Sequence, residues 1–276
     1  MGLWRYAYAS VVGTSHEKTG APCQDAGLCR LVDTAQSGPV LLAAASDGAG
    51  TAPRSQEGAA LAVERFFDEF GRACEEEDIS IIDRDFVVSW MRQVRAEISD
   101  RAQAMGLRPR DFACTILGAA VGATRSVFFQ VGDGAIVISA ADDEVGEYGI
   151  ATWPQHGEFA NSTNFLTEEN ADAALQVETF DGQIDDVAIF TDGIERLVLD
   201  FSAKAAHAPF FRPLFAWLAA AELKLDNAPS PPLVRYLSSN QVNSRTDDDK
   251  TLILATRRAA PAREPTHATP SGADAV

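Results

Sequence analysis

The sequence predicts an α+β fold with antiparallel sheets, in one domain over residues 1–257. Strand-like segments gather at both ends and in the middle of the 276-residue chain, without a regular βαβ alternation. Two long segments of helical period, 56–76 and 86–105, follow one another directly. The middle strands are joined by short turn signals, Gly122-Ala123-Thr124-Arg125-Ser126 and Gly132-Asp133-Gly134.

Residues 4–12 alternate aromatic or branched side chains with small ones and read as the first strand. Residues 40–46 are a short apolar run ending at Asp47-Gly48, hence a buried strand entering a loop. Residues 56–76 place Ala60, Val63, Phe66, Phe67 and Phe70 on one helical face, which makes the Phe stripe core. The acidic run Glu75-Glu76-Glu77-Asp78 reads as a solvated loop rather than a metal site. The second helix starts after Asp83 as N-cap and stops at Gly106. Strands are expected at 113–121, 127–131, 135–140 and 146–153. The polar stretch 156–172 reads as a surface flap. A short strand at 187–190 runs into Thr191-Asp192-Gly193. Helices follow at 209–225, with Phe211, Leu214, Phe215 and Leu218 on one face, and at 232–240, before a last strand at 251–255. Residues 258–276, rich in Ala, Pro and Thr, read as a disordered tail. No internal repeat is present.

Hydrophobic residues make up 46% and charged residues 23%, as in an ordinary globular protein. No run reaches the 18 or so apolar residues of a membrane-spanning helix, and no leader pattern opens the chain, so a cytoplasmic location is expected. Cys23, Cys29, Cys74 and Cys114 form no C-x-x-C pair, which argues against a zinc knuckle or redox motif and for free thiols. The net charge of −17 argues against nucleic acid as a partner, and no basic amphipathic stretch suggests a membrane surface. The charge fits both a soluble surface and a cation-binding site. No C-x₅-R loop of a cysteine phosphatase and no Walker or kinase Gly-rich loop is present.

Aspartates with small neighbours recur at strand ends: Ser46-Asp47-Gly48-Ala49-Gly50, Gly132-Asp133-Gly134, Thr191-Asp192-Gly193 and Asp247-Asp248-Asp249-Lys250-Thr251, with Gln24-Asp25-Ala26 as a fifth position. A single Asp-Gly marks a turn. Two of these follow short apolar strands and one precedes a strand, so their carboxylates can converge at one rim. Oxygen donors without a matching Cys or His set select Mg²⁺ or Mn²⁺. Two such ions about 3.5–4 Å apart can activate a water and clamp a phosphoryl group for in-line attack.

Six ordered motifs, Pro22-Cys23-Gln24-Asp25-Ala26, Ser46-Asp47-Gly48-Ala49-Gly50, Ala113-Cys114-Thr115, Val131-Gly132-Asp133-Gly134, Phe190-Thr191-Asp192-Gly193 and Asp248-Asp249-Lys250-Thr251, make the chain resemble the metal-dependent protein phosphatases of type 2C, from Trp4 to Ala255. The resemblance implies two packed antiparallel β-sheets flanked by antiparallel helices, an αββα sandwich with metals at one edge. It implies a serine/threonine phosphatase using two or three Mn²⁺ or Mg²⁺ ions on phosphoprotein substrates, with a bacterial Ser/Thr kinase or its target as counterpart. By position, Asp47 bridges two metals with the Gly48 carbonyl on the second. Asp192 and Asp248 bind the first, and Asp25 and Asp133 lie toward the second or a third.

The sequence departs from that pattern in three places. Gln24 stands where an acid is usual, Gly20 where many members carry a phosphate-binding Arg, and Ala49 where some carry a His. His16, Lys18 and Arg54 are candidates to contact phosphate, with His16 also a candidate acid, and His156 is a candidate contact from the flap. His207 and His267 are expected to have no role. The departures also motivate a second reading, a pseudophosphatase that binds phosphoproteins without turnover.

Overall fold

The computed structural model describes residues 3–34, 37–155, 163–221 and 228–259. Strand β1 (Arg5–Val11) leads through a short helix α1 (Thr14–Thr19) to β2 (Ala26–Val32) and β3 (Val40–Ser46). The long helices α2 (Ser55–Glu76) and α3 (Arg84–Ala104) follow. Next come β4 (Ile116–Val121), β5 (Arg125–Val131), β6 (Ala135–Ala140) and β7 (Gly149–Thr152). A short α4 (Ala171–Ala174) precedes β8 (Gln176–Asp181) and β9 (Ile184–Phe190). The remainder is α5 (Glu195–Val198), the ribbon β10 (Leu199–Asp200) and β11 (Ala205–Ala206), α6 (Ala208–Ala220), α7 (Pro231–Leu237), α8 (Asn240–Asn243) and β12 (Lys250–Thr256).

Two five-stranded sheets result, in the orders β1-β12-β9-β6-β7 and β2-β3-β4-β5-β8. Every pairing within them is antiparallel. Three layers of apolar contact hold four layers of structure. Leu42 and Ala44 of β3 face α2 and α3, whereas Leu41, Ala43 and Ala45 face the opposite sheet. The same alternation runs along β9, with Val187 and Ile189 between the sheets and Ala188 and Phe190 beneath α6. Strands buried on both faces need apolar residues at every position, which is why 40–46 and 187–190 read as continuous runs. Under α2 and α3 the Phe stripe meets α3 and β5: Phe70 stacks on Phe129 at 5.4 Å and Trp90 meets the same ring at 5.6 Å.

Several elements differ from the sequence expectation. Strands β2 and β8 were not expected, because both are sheet edges with mixed exposure and no clean alternation. β9 begins at Ile184 rather than 187, across Asp185 and Asp186. Two adjacent carboxylates argue against a buried strand until their partners are known: Arg258 Nε lies 2.8 Å from Asp186, and Arg257 Nε 3.5 Å from Asp185. Residues 113–115 do not extend β4 but form a separate bridge to Gly48. Glu75 and Glu76 finish α2 as exposed residues, and Asp78 caps the next turn through the Ser80 N–H at 3.0 Å. Arg258 is still tied to the sheet through Asp186, Ser139 and Ala140. Residues 260–276 of the expected tail, with His267, and residues 156–162 of the flap, with His156, lie outside the described residues. No described helix is long and apolar enough to cross a membrane.

Candidate metal centre

The antiparallel registers bring the aspartate motifs to one end of the sandwich. Ala26 pairs with Ser46, so Asp25 and Asp47 emerge side by side from β2 and β3. Phe190 pairs with Ala135 on one side and Leu252 on the other, which sets Asp192 between the Asp133 turn and the Asp248 segment. Carboxylate oxygens of Asp47, Asp133 and Asp192 all lie within 4.8 Å of one another. A cleft of about 240 Å³ covers them and is lined also by His16, Gln24, Gly48, Asp248 and Asp249.

Threonines and close backbone crossings aim these groups. The Thr115 hydroxyl accepts the Asp47 N–H at 2.9 Å, and Ser46 donates to the Thr115 carbonyl at 2.5 Å. Bonds on either side, from Thr115 N–H to the Asp47 carbonyl (2.8 Å) and from Ala49 N–H to the Ala113 carbonyl (2.9 Å), leave the Gly48 carbonyl outside this ladder. That accounts for the Ala113-Cys114-Thr115 motif: it braces the Asp47 loop. Thr191 donates to Asp25 Oδ2 at 2.8 Å and accepts the Thr251 N–H at 3.0 Å, tying three motifs together. Gly132 has φ of 129°, and a Cβ there would sit 2.5 Å from Thr115. A Cβ on Gly193 would lie 1.8 Å from the Asp249 carbonyl, so only glycine lets the Asp192 turn cross β12's entry.

The electrostatics of the metal-free cluster are unfavourable. Burial first, then repulsion from Asp25, Asp192 and Asp133, pushes the Asp47 carboxyl well above its ordinary range. Burial and repulsion from Asp133, Asp248 and Asp25 push Asp192 to about 8. Burial pushes Asp25 to about 6, against hydrogen bonds that lower it. Asp25 Oδ1 and Gln24 Oε1 are buried with no hydrogen-bond partner among the described residues. Convergent hard oxygens, two of them unsatisfied, fit divalent cations.

Between the ordinary carboxyl value of 3.8 and about 8, Asp192 of the folded metal-free chain binds proton that the unfolded chain has lost. Stability of the chelated protein is therefore expected to fall as pH rises through that window, by several degrees in melting temperature between pH 5 and 8. Mn²⁺ is expected to restore it at pH 8. A melting temperature independent of pH in chelator would show that burial and the neighbouring carboxylates do not raise Asp192.

The other sequence candidates separate. Asp248 is exposed and lines the cleft, its Oδ1 accepting the Asp249 N–H at 2.8 Å. His16 lines the cleft with Nδ1 3.0 Å from Asp249 Oδ2. Lys18 is exposed on α1 and Arg54 pairs with Glu57 at 2.6 Å; neither lines the cleft. The departure from an acid at Gln24 leaves its backbone N–H bonded to Asp249 Oδ2 at 2.6 Å. Asp249, which the spacing to Thr251 sets aside in favour of Asp248, is only 3% exposed and also accepts the Gly13 N–H at 2.6 Å. Its adjacency to Asp248 was the available signal, since neighbours entering a strand face opposite ways. The four cysteines are free, and burial pushes the Cys74 and Cys114 thiols up to about 12, away from the thiolate form a nucleophile needs.

A family model described as Protein phosphatase 2C matches residues 12–237. Serine/threonine-protein phosphatase 3 of Escherichia coli (strain K12) is 38% identical over 253 residues, covering 91% of this chain and 98% of that protein. Among solved structures, a bacterial serine phosphatase superposes with a TM-score of 0.60 at 13% identity, over 93% of this chain and 99% of its own. A serine/threonine phosphatase from Staphylococcus aureus gives a TM-score of 0.60 at 13% identity, over 93% of this chain and 96% of its own. These two establish the shared αββα sandwich. The family match and the identity to the E. coli enzyme, set on a sandwich whose rim gathers acidic side chains, place the chain in the protein phosphatase 2C family, as a metal-dependent serine/threonine protein phosphatase.

Proposed function

We propose that residues 1–257 form the catalytic unit and hydrolyse phosphoserine and phosphothreonine esters with two or three Mn²⁺ or Mg²⁺ ions. Asp47, Asp133 and Asp192 would hold the ions, with Asp25, Asp248 and the Gly48 carbonyl as further donors. The observation that carries this is the convergence of three carboxylates within 4.8 Å. When bound, such ions supply an activated water and neutralise charge on the phosphoryl group. Thr115 and Thr191 hold Asp47 and Asp25 in place through the bonds given above. The leaving serine or threonine oxygen needs a proton. His16 is the one imidazole among the described cleft residues, and its contact to Asp249 through Nδ1 leaves Nε2 for that transfer. The natural counterpart is a Ser/Thr kinase in the same reducing compartment, the cytoplasm, in keeping with four free thiols.

Hydrolysis of p-nitrophenyl phosphate is expected with Mn²⁺ or Mg²⁺ and is expected to vanish after EDTA treatment. Activity that survives exhaustive chelation overturns the reading. One observation favours the pseudophosphatase alternative: no Lys or Arg lines the 240 Å³ cleft among the described residues. A protein that binds metal yet never turns over this ester belongs to that alternative. Gln24 offers a finer test. Gln24→Glu places a carboxylate where a buried amide oxygen has no partner, and is expected to lower the Mn²⁺ concentration for half-maximal activity about three- to tenfold. An unchanged or weaker metal dependence would mean that residue 24 does not face a metal.

A further inference from the structure

Two arginines stand beside the acidic cleft and have no part in the chemistry above. Arg196 follows the Asp192 turn in α5, and Arg245 precedes the loop that carries Asp248. Both line a hollow of about 300 Å³ that shares Asp192 and Asp248 with the catalytic cleft. Both also line an adjoining groove of about 750 Å³, whose apolar walls include Phe201, Phe210, Leu214 and Tyr236. The three hollows form one path, from the carboxylate cluster, past two guanidiniums, into an apolar trough. Phe201, 40% exposed, is among the few large apolar side chains the described surface leaves open.

Both arginines are exposed, and neither pairs with a described carboxylate, although Glu195, Asp247 and Asp248 are close in sequence. Arg54, Arg72 and Arg92, also exposed, each hold an acid within 3.0 Å, whereas Arg196 and Arg245 differ from the other arginines in lining the hollow that shares Asp192 and Asp248 with the cleft. Asp192, Glu195, Asp247 and Asp248 line the same hollow, yet neither guanidinium has an acid within ion-pair distance among the described residues, which leaves both for an anion from outside. The guanidinium fork suits a carboxylate or phosphate. A peptide running from the cluster meets this pair before the trough.

We propose that this path binds the segment of the substrate protein next to the phosphorylated residue. Arg196 and Arg245 hold an anionic side chain near the phosphoester, and the trough takes an apolar side chain beyond it. The enzyme thus selects phosphosites in acidic-then-apolar sequence. This rests on the phosphatase reading above but concerns selection rather than chemistry.

The test compares phosphoserine peptides of equal length whose flanking positions carry Glu, a second phosphoserine, Ala or Lys, each with and without a more distant Leu. With the full chain and Mn²⁺, kcat/KM for the Glu-flanked peptide is expected to exceed that for the Ala-flanked one about fivefold, mostly through KM. The advantage is expected to shrink as salt screens the exposed pair. The second-phosphate arm separates carboxylate from phosphate as the preferred anion. Arg196→Glu and Arg245→Glu are expected to invert the order so that the Lys-flanked peptide leads. Fluorescence anisotropy with the same peptides keeps the test independent of turnover. A chain that leaves p-nitrophenyl phosphate intact but prefers the Glu-flanked peptide in binding sustains the path and refutes the hydrolase reading. A chain that hydrolyses p-nitrophenyl phosphate and treats the peptides alike overturns the path alone. Equal losses in the arginine variants for every substrate, p-nitrophenyl phosphate included, also overturn it, because they would assign the arginines to the scissile phosphate.

Discussion

Asp47→Asn is expected to lower kcat about a thousandfold and to weaken Mn²⁺ binding measured by calorimetry. Asp47 sits at the centre of the cluster, within 4.8 Å of Asp133 and Asp192 through its carboxylate. Its backbone is braced by Thr115 on both the N–H and carbonyl sides. The substitution therefore removes charge while leaving the loop's hydrogen bonds intact. A metal's electrostatic stabilisation of phosphoryl transfer is worth several kcal/mol, and about 4 kcal/mol corresponds to about a thousandfold in rate. The same variant carries a second, opposite signature. Burial first, then repulsion from Asp25, Asp192 and Asp133, raises the proton affinity of Asp47 in the metal-free chain. A neutral amide relieves both, so chelated Asp47→Asn is expected to melt above the chelated parent at pH 8. Asp192→Asn is expected to behave alike, with its own carboxyl pushed to about 8. A near-normal kcat in Asp47→Asn would remove this aspartate from the metal site. Loss of activity together with a lower melting temperature would point to misfolding instead.

Asp249→Ala is expected to cost stability where Asp47→Asn does not. Its buried carboxylate accepts the Gly13 and Gln24 N–H groups, each at 2.6 Å, and meets His16 Nδ1 at 3.0 Å. These contacts tie the segment between β1 and β2 to the start of β12. Truncation leaves two backbone donors without acceptors, at about 1–3 kcal/mol each, or about 2–6 kcal/mol in all. Urea unfolding measures that loss. Since Gln24 precedes Asp25 and His16 lines the cleft, a rise in the Mn²⁺ needed for half-maximal activity is expected to accompany it. Asp249→Asn, which keeps one carbonyl oxygen, is expected to fall between parent and Ala. Unchanged stability in Asp249→Ala would show that the carboxylate does not carry the knot.

Much of the scaffold was legible because burial on both faces writes itself into sequence. The run at 40–46 and the Phe stripe of α2 can be read without a structure, since a strand between two apolar layers and a helix on one leave distinct periods. Edge strands leave no such trace. In β8 only partial burial remains at Gln176, Val177 and Phe180, and the alternation is lost. Asp185-Asp186 hides the start of β9 because the compensating charges, Arg257 and Arg258, arrive some 70 residues later in the chain.

The sequence by itself determined the class of protein and the aspartates worth naming. Asp47, Asp133, Asp192 and Asp248 were marked by Gly neighbours or strand ends, and all four line one cleft. Tertiary structure alone decided what surrounds them. The register of β12 against β1 and β9 turns Asp249 inward to bind backbone while Asp248 stays exposed at the cleft. The Asp47 loop finds Thr115, and Asp25 finds Thr191, across separations that no local pattern encodes. Lys18 and Arg54, near in sequence to the acidic motifs, line no part of the cleft, whereas Arg196 and Arg245 come beside it. The reason is physical. Period and composition report which face of an element is buried, but direction and distance between elements are set by strand pairing, and site chemistry depends on those distances.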